Sequence, residues 1–521
     1  MTTPVMGAAK AASLNGYLLL HRLPTNGKKT RTKLMANMDY REWEFFETEV
    51  KSDTYHVVDH GPLLGPVTSF KIRRDDRLEL VLETTSVTSQ SADASYPAPN
   101  AVYRLDDQVR FQGRYTGFPV TAHGVSPGGY TSSYRVNEGS SKTVQTSTIQ
   151  SLHWATDHDS EGRYVIDWVG NLSGSFLWPD SDNVEETDVK TRTLRSPTGN
   201  IIIPSKSTSS LHDQSCARLS IGGWDVIIGR LRGERAQLDD SGFVLYLDLP
   251  DEETRSRIRG CLSFCLGDYL VYLGSTTFDG TWEPVSFLAV AAHALAEKAR
   301  DISGRPPAPL GLNYQREVDA TLLSRMASGL FGIYEAYDLR NAFWNYWHGL
   351  AAPVHMAAAH FGAAIEALQK AHFANSGAST QNRIVASDDV WKALLTQIDR
   401  CIQDFDLPAA EKRMLRNKAS NLNSAPQAVV ADRFFASVGL QLSALEKDVW
   451  INRNRAAHGG SVTDVRAIQT IRENKVLMML MTRVLLSIGQ ASDLYHDYYT
   501  LDRPTRQLSQ PVPDDRPPRV R

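Results

Sequence analysis

"SGRPPAPLG", residues 303–311, separates two parts of the chain with different hydrophobic periods. Its adjacent prolines and flanking glycines stop regular structure and stiffen the connection. Before it, apolar and polar residues alternate in short runs. After it, apolar residues recur every three or four positions. Upstream, "VTSFKIRR" (67–74), "RLELVLETT" (77–85), "RYVIDWVG" (163–170), "SGSFLW" (173–178), "WDVIIGRL" (224–231) and "FVLYLDL" (243–249) read as strands. "QSADASYPAPN" (90–100), "HGVSPGGY" (123–130) and "SPTGN" (196–200) read as the loops between them. One helix interrupts this part: "DEETRSRIRGCLSFCLG" (251–267) starts acidic and stops at Gly267, and the strand "YLVYLGSTTFD" follows. A short helix, "VSFLAVAAHALAEKAR" (285–300), is expected just before the boundary.

Downstream, "EVDATLLSRMASGLFGIYEAY" (317–337) has helical spacing, as does "PVHMAAAHFGAAIEALQKAHF" (353–373), with Pro353 at its start. "DDVWKALLTQIDRCIQDF" (388–405) follows Ser387 as N-cap, and "AVVADRFFASVGLQLSALEKDVW" (428–450) reads as another helix. The last helix is expected from about Asp464 to Tyr499; "VLMMLMTRVLL" within it is apolar on every side, as a central bundle helix or a subunit contact would be. "QPVPDDRPPRVR" (510–521) has the composition of a disordered tail. The expected class is therefore a multidomain α+β chain. A β-rich sandwich or barrel-like domain spans 1–285, a helix and Pro/Gly link 286–315, an all-α bundle 316–500, and a disordered tail 501–521.

The chain has 521 residues, a formal net charge of −3, 42% hydrophobic and 22% charged residues. This is the composition of an ordinary soluble protein, and it leaves nucleic-acid contact to a local patch. The apolar piece near the start, Tyr17–Leu20, is too short for a signal peptide, and Val476–Met481 falls well below the roughly 20 residues of a membrane span. A cytoplasmic location without membrane contact is expected. The four cysteines, Cys216, Cys261, Cys265 and Cys401, do not make a disulfide framework. Cys261 and Cys265 share a helix face and read as a buried apolar pair. His212 and Cys216, and His158 between Asp157 and Asp159, are weak metal signals.

The chemistry concentrates in "INRNRAAHGG", residues 451–460. Gly459 and Gly460 mark a helix end, which places His458 in the last turn, where the negative helix terminus favours a protonated imidazole. Asn454 and His458 lie four apart on one face. The Arg453 side chain can reach around to them, and its planar fork suits two phosphate oxygens; Arg455 adds charge. No carboxylate pair or His/Cys cluster accompanies the set. Arg plus His suits phosphodiester cleavage by a neighbouring ribose 2′-hydroxyl, with His458 moving a proton and Arg453 stabilising developing charge. That chemistry needs RNA.

"RNRAAH" between two long helices resembles the R-x4-6-H motif of HEPN ribonucleases, in which a polar residue, often Asn, follows the Arg. The layout is similar to the ApeA-like group of bacterial anti-phage proteins, which join an N-terminal β-rich domain to a C-terminal HEPN domain. The resemblance is specific around 450–460 and extends over about 335–500. For 1–285 it rests on domain order, size and pieces such as "YLGSTTFDGTW". It implies a HEPN helical bundle that forms a homodimer or higher homo-oligomer, with paired motifs facing each other. It implies a metal-independent endoribonuclease leaving a 2′,3′-cyclic phosphate, no cofactor, and a part in abortive infection by cleaving RNA, with tRNA a candidate. Arg453, Asn454 and His458 carry over as catalytic residues. Some relatives have a Tyr two residues after the His; here that position is Gly460. The domain pairing implies a β-rich sensor, a phage-derived trigger and restraint of the nuclease. The alternative is a catalytically silent dimerisation or RNA-binding module with its specificity in the β-rich domain. Of the remaining polar and aromatic residues, Glu366 reads as a solvated or interface glutamate, with orientation of a motif residue as the sharper possibility. His355 and His360 read as packing or polar-edge residues, and Trp344, Tyr346 and Trp347 as core or dimer-contact aromatics rather than base-stacking platforms.

Overall fold

The computed structural model describes residues 43–515, apart from 90–106, 116–118, 136–139, 157–160, 173–175, 197–198, 232–240, 293–308, 310–316, 378 and 454–463. The class is α+β. An eleven-stranded antiparallel sheet runs, edge to edge, through Tyr55–Asp59, Gln108–Gly113, Pro119–His123, Ser151–Ala155, Pro284–Val290, Val271–Phe278, Tyr164–Gly170, Gly242–Tyr246, Trp224–Arg230, Gly199–Ile221 and Asp180–Ser196. A four-stranded sheet, ordered Val67–Arg74, Leu80–Ser89, Ser140–Ile149 and Ser126–Arg135, covers the first part of the large one. Phe70, Ile72, Leu80 and Leu82 from the small sheet share one core with Phe111, Val120, Leu152, Trp154 and Phe287, as in a sandwich. The short helix α1 (Phe45–Glu49) closes this core.

Helix α2 (Glu252–Leu266) lies on the other part of the large sheet. Asp251 caps it by accepting from the Thr254 N–H at 2.7 Å, and Gly267 ends it at φ 73°, the left-handed conformation that a C-terminal glycine supplies without strain. Its two faces do different jobs. Asp167, fully buried on the strand Tyr164–Gly170, pairs with Arg259 and, at 3.4 Å, with Arg255; Arg259 also donates to Glu252 at 2.6 Å and lies 3.9 Å above the Tyr272 ring. Burial pushes the Asp167 carboxyl up, and the two guanidiniums oppose that. The apolar face carries Ile258, Cys261, Phe264 and Cys265 into the helical part, where Phe264 meets Phe343 at 5.2 Å and Tyr346 at 5.1 Å. Cys261 and Cys265 are the buried apolar pair expected, and burial raises both thiols.

The helical part comprises α3 (Ala320–Ile333), α4 (Leu339–Ala351), α5 (Val354–Asn375), α6 (Asp388–Asp404), α7 (Ala409–Ser420), α8 (Gln427–Ser437), α9 (Ala444–Asn452) and α10 (Asp464–Ile488). Helix α3 docks on the sheet: Ser324 and Ser328 hydroxyls accept from the Ser220 and Gly222 N–H groups, both at 3.2 Å. One apolar cluster runs without a break from Val226 and Val244 in the sheet, through α2 and α3, to Leu480 and Val484 in α10. The sheet and the bundle thus share a core, although the period of the sequence changes between them.

Several expectations need correction. Of the strand expected at 173–178, the described residues 176–178 hold only an isolated bridge from Leu177 to Glu317. Val285–Val290 is strand, not helix: it has strand partners on both sides, and Phe287 and Ala289 face the core. The rest of that stretch and most of the Pro/Gly link lie outside the described residues. Residues 428–450 form two helices, α8 and α9, because Gly439 sits at φ 70° and Ser443 restarts the chain with a capping box to Glu446. "HGVSPGGY" enters a strand at Ser126 instead of forming a loop, and the long ribbon Asp180–Ser196/Gly199–Ile221 and α7 had no expectation at all. The last helix ends at Ile488, and the expected disordered stretch 501–521 is ordered as far as 515: Leu494–His496 pairs with Thr505–Gln507, and Val512 is fully buried.

A buried cation accounts for the ordered tail. Arg483 on α10 is inaccessible to solvent, as is its partner Glu446 on α9. Its remaining N–H groups donate to the Leu508 carbonyl at 2.7 Å and the Gln441 carbonyl at 3.0 Å. A buried guanidinium needs these acceptors, so the tail is held by the cost of leaving Arg483 unsatisfied. Glu446→Ala is expected to lower unfolding free energy by about 3–5 kcal/mol in urea titrations, by stranding that charge.

A second buried pair sits at the other end. Arg74 donates to both Glu44 oxygens, at 2.5 and 2.7 Å. Glu47, which accepts from the Trp43 indole at 2.9 Å, is pushed up to about 7 by burial and by the neighbouring Glu44. A carboxyl raised in the folded state binds a proton that the unfolded chain has already lost. Glu47 therefore adds stability below its ordinary pKa, and that stability is lost as pH rises from about 4.5 to about 7. Urea midpoints compared at the two ends of this window should show Glu47→Gln removing a difference on the order of 2 kcal/mol.

Candidate functional site

Arg453 is the residue after α9 and closes it, its N–H donating to the Val449 carbonyl at 3.1 Å. The side chain is buried, 5% exposed, and turns back over its own helix. Its guanidinium lies 3.5 Å above the Trp450 ring and donates to the Trp450 carbonyl at 2.6 Å. The other terminal nitrogen pairs with the Glu366 carboxylate on α5. Trp450 is itself fixed edge-on by Phe435, 5.7 Å away. The guanidinium is thus held by a ring below, a carbonyl beside it and a carboxylate across the helix–helix groove.

Helix α5 is shaped for this. A Cβ at Gly362 would stand 2.9 Å from the Arg453 Cδ, so glycine at that position makes room for the side chain to cross. Glu366 follows one turn later on the same face. Its side chain is 45% exposed while that of Arg453 is 4% exposed, so the pair bridges interior and surface. Helix α10 packs along α5 as well, and the Asn474 amide donates to the Val354 carbonyl at 2.7 Å.

Of the three motif residues, Arg453 is placed by the structure; Asn454 and His458 lie outside the described residues, with Arg455, Gly459 and Gly460. Glu366 meets a motif residue directly while its side chain stays partly in water. His360 is half-buried with its Nδ1 3.4 Å from the Asn345 amide oxygen, and burial lowers its pKa; His355 is exposed. Tyr346 and Trp347 are buried core, whereas Trp344 is 46% exposed with its ring 4.0 Å from that of His348. Trp450 and Gly362 were missed. Trp450 ends a helical stretch and Gly362 lies in an alanine-rich run, and nothing in the sequence marks either; in the structure both face Arg453.

Among the described residues, no group of three or more His, Cys, Asp or Glu side chains is arranged to hold a metal ion. Cys216 is buried, and the side chains of His212 and of the His158 turn lie outside the described residues. Also among the described residues, no helix is long and apolar enough to cross a membrane. Comparison with protein-family models, with curated proteins and with solved structures gives no match.

The exposure of Glu366 sets the energetics of the site. Removing Arg453 leaves a carboxylate that water can reach, unlike the Glu446–Arg483 pair. Arg453→Ala should therefore cost only about 1–2 kcal/mol in a urea titration, with the fold retained by circular dichroism.

Proposed function

We propose that this chain is a metal-independent endoribonuclease of the HEPN type, acting in an anti-phage, abortive-infection role. The observation that carries the reading is the seating of Arg453: a guanidinium fixed at a helix end, paired across the groove with a carboxylate that opens to solvent. A phosphodiester entering from that side meets the arginine where Glu366 now sits. The exchange of one anion for the other brings the guanidinium onto the phosphate without moving the helix. Asn454 and His458 follow within one to five residues in sequence. His458 then takes the proton from the ribose 2′-hydroxyl or delivers one to the leaving 5′-oxygen, and Arg453 stabilises charge on the phosphoryl oxygens. The 2′-oxygen bond to phosphorus forms as the bond to the 5′-oxygen breaks, leaving a 2′,3′-cyclic phosphate.

The reading includes a homodimer or higher homo-oligomer. Ile451, Ile468 and Ile471 are 58%, 72% and 42% exposed on α9 and α10, on the helices that enter and leave the motif. Apolar side chains there suit a second copy. RNA, with tRNA a candidate, is the substrate, and a phage-derived trigger relieves restraint imposed through the β-rich part. Because sheet and bundle share one core, a signal at the sheet has a packed route to α5 through α2 and α4.

A second reading draws on the same geometry. Every terminal nitrogen of Arg453 has a partner within the chain, as in a structural arginine. A silent dimerisation or RNA-binding module would keep that arrangement permanently.

RNA-end sequencing after expression, with and without phage, separates the two. The nuclease reading expects 2′,3′-cyclic ends that persist in EDTA and disappear in Arg453→Ala and His458→Ala, together with phage protection. It also expects Gly362→Ala to reduce cleavage at least about tenfold, because the new methyl group displaces Arg453 while helix propensity favours alanine by about 1 kcal/mol. RNA that is bound but left intact by the wild-type chain identifies the silent module.

A further inference from the structure

Helices α6 and α7 form a hairpin that leaves the bundle and returns to it. Its base is a two-stranded neck: the Ile384 N–H donates to the Asn423 carbonyl at 2.8 Å, and the Ala425 N–H donates to the Asn382 carbonyl at 2.8 Å. The Asn423 side chain accepts from the Val385 N–H at 2.7 Å and donates to its carbonyl at 3.0 Å. The hairpin is internally tied as well, with Arg416 on Asp399 at 2.5 Å and the Lys412 ammonium on the Gln403 carbonyl at 2.8 Å. Helix α6 is strongly amphipathic, yet it buries no residue. Leu394, Ile398, Cys401, Ile402, Phe405 and Leu415 line an open groove of about 410 Å³ between the two helices. Phe405 is 67% exposed, Met414 58%, and Leu394 and Leu415 42% each.

Two helices alone make a layer, not a core, and an apolar face of this kind is stable in water only when covered. Charge decides what covers it. Helix α6 carries four aspartates, 388, 389, 399 and 404, against Lys392 and Arg400. Helix α7 carries Lys412, Arg413, Arg416 and Lys418 against Glu411; with Asp388 on Arg383, Asp399 on Arg416 and Lys412 on the Gln403 carbonyl within the chain, a partner meets Asp389 and Asp404 on one flank and Arg413 and Lys418 on the other. The hairpin is therefore its own complement: a two-fold axis that lays α6 of one copy on α7 of another joins acidic to basic flanks twice while both grooves close. Two antiparallel hairpins packed this way form a four-helix bundle, the closed arrangement for such an element. We propose that the α6–α7 hairpin is an isologous interface at which a second copy of this chain docks. The inference rests on the hairpin alone and holds whether or not the motif at 453–458 cuts RNA. If the motif faces also pair, the hairpin joins those pairs into a larger assembly.

Sedimentation of the full-length chain tests this. Leu394→Glu with Leu415→Glu puts charges into the groove at two exposed positions and is expected to halve the sedimenting mass. Arg413→Glu with Lys418→Glu leaves the apolar face intact, removes the complementarity and should shift dissociation to higher protein concentration. Arg453→Ala should leave the hairpin contact in place, which separates this interface from the nuclease reading. Cys401, the exposed cysteine in the groove, reports coverage directly. Its reaction with a thiol reagent should speed up on the order of tenfold in the double glutamate variant, since thiol reactivity follows access. A monomeric wild-type chain, a double glutamate variant of unchanged mass, or a Cys401 equally protected in monomers would each overturn the proposal; the last would point to a segment of the same chain as the cover.

Discussion

A carboxylate on a central strand organises this molecule. Asp167 is inaccessible to solvent, and an isolated charge there would be far too costly to keep. Arg255 and Arg259, one turn apart on α2, resolve it, and they can do so only with the helix laid across the sheet at one height and one rotation. That orientation turns the opposite face of α2, with Cys261 and Phe264, toward α4. The ion network contributes placement more than affinity. A hydrophobic replacement could hold the two elements as tightly, but it would let the helix slide.

From α2 outward the same logic is repeated with smaller parts. Phe264 fixes Phe343 and Tyr346 on α4, Tyr346 reaches Phe361 on α5 at 6.1 Å, and the next residue on α5 is Gly362, over which Arg453 lies. The candidate site is therefore not a loop feature resting on the bundle. Its arginine is set by a chain of contacts that begins in the sheet. The period of the sequence separates the two parts of the molecule, whereas their physics joins them.

Much of the fold could be read from residues. Alternation located strands such as Val67–Arg74 and Gly242–Tyr246 but not the short Gln108–Gly113, Pro119–His123 and Ser151–Ala155, and helical spacing located α3, α5 and α6. The capping residues Asp251, Gly267 and Ser387 stood where their chemistry requires. What could not be read was decided by partners distant in sequence. Val285–Val290 has enough alanine and leucine around it to look helical, and only its two neighbouring strands make it a strand. Residues 505–512 have a tail's composition, and one buried guanidinium far upstream makes them structure. At the site, Arg453 was legible as a chemical type. Its burial was not, because the groove that receives it is made by the absence of a side chain at Gly362. The ribonuclease reading joins the motif in the sequence to the seating of Arg453 in space.

The tie between Arg483 and the Leu508 carbonyl also bears on how the chain comes to be folded. Synthesis proceeds from the N-terminus, so the sheet, α2 and nearly all of the bundle leave the ribosome before residue 508 does. Until then the central helix carries a cation with an essential acceptor missing, and its surroundings have reason to stay open and hydrated. The core around Arg483 thus closes on a segment of low hydrophobicity that follows the bundle helices in sequence. Completion of the helical interior is thereby coupled to synthesis of residues that lie beyond its last helix.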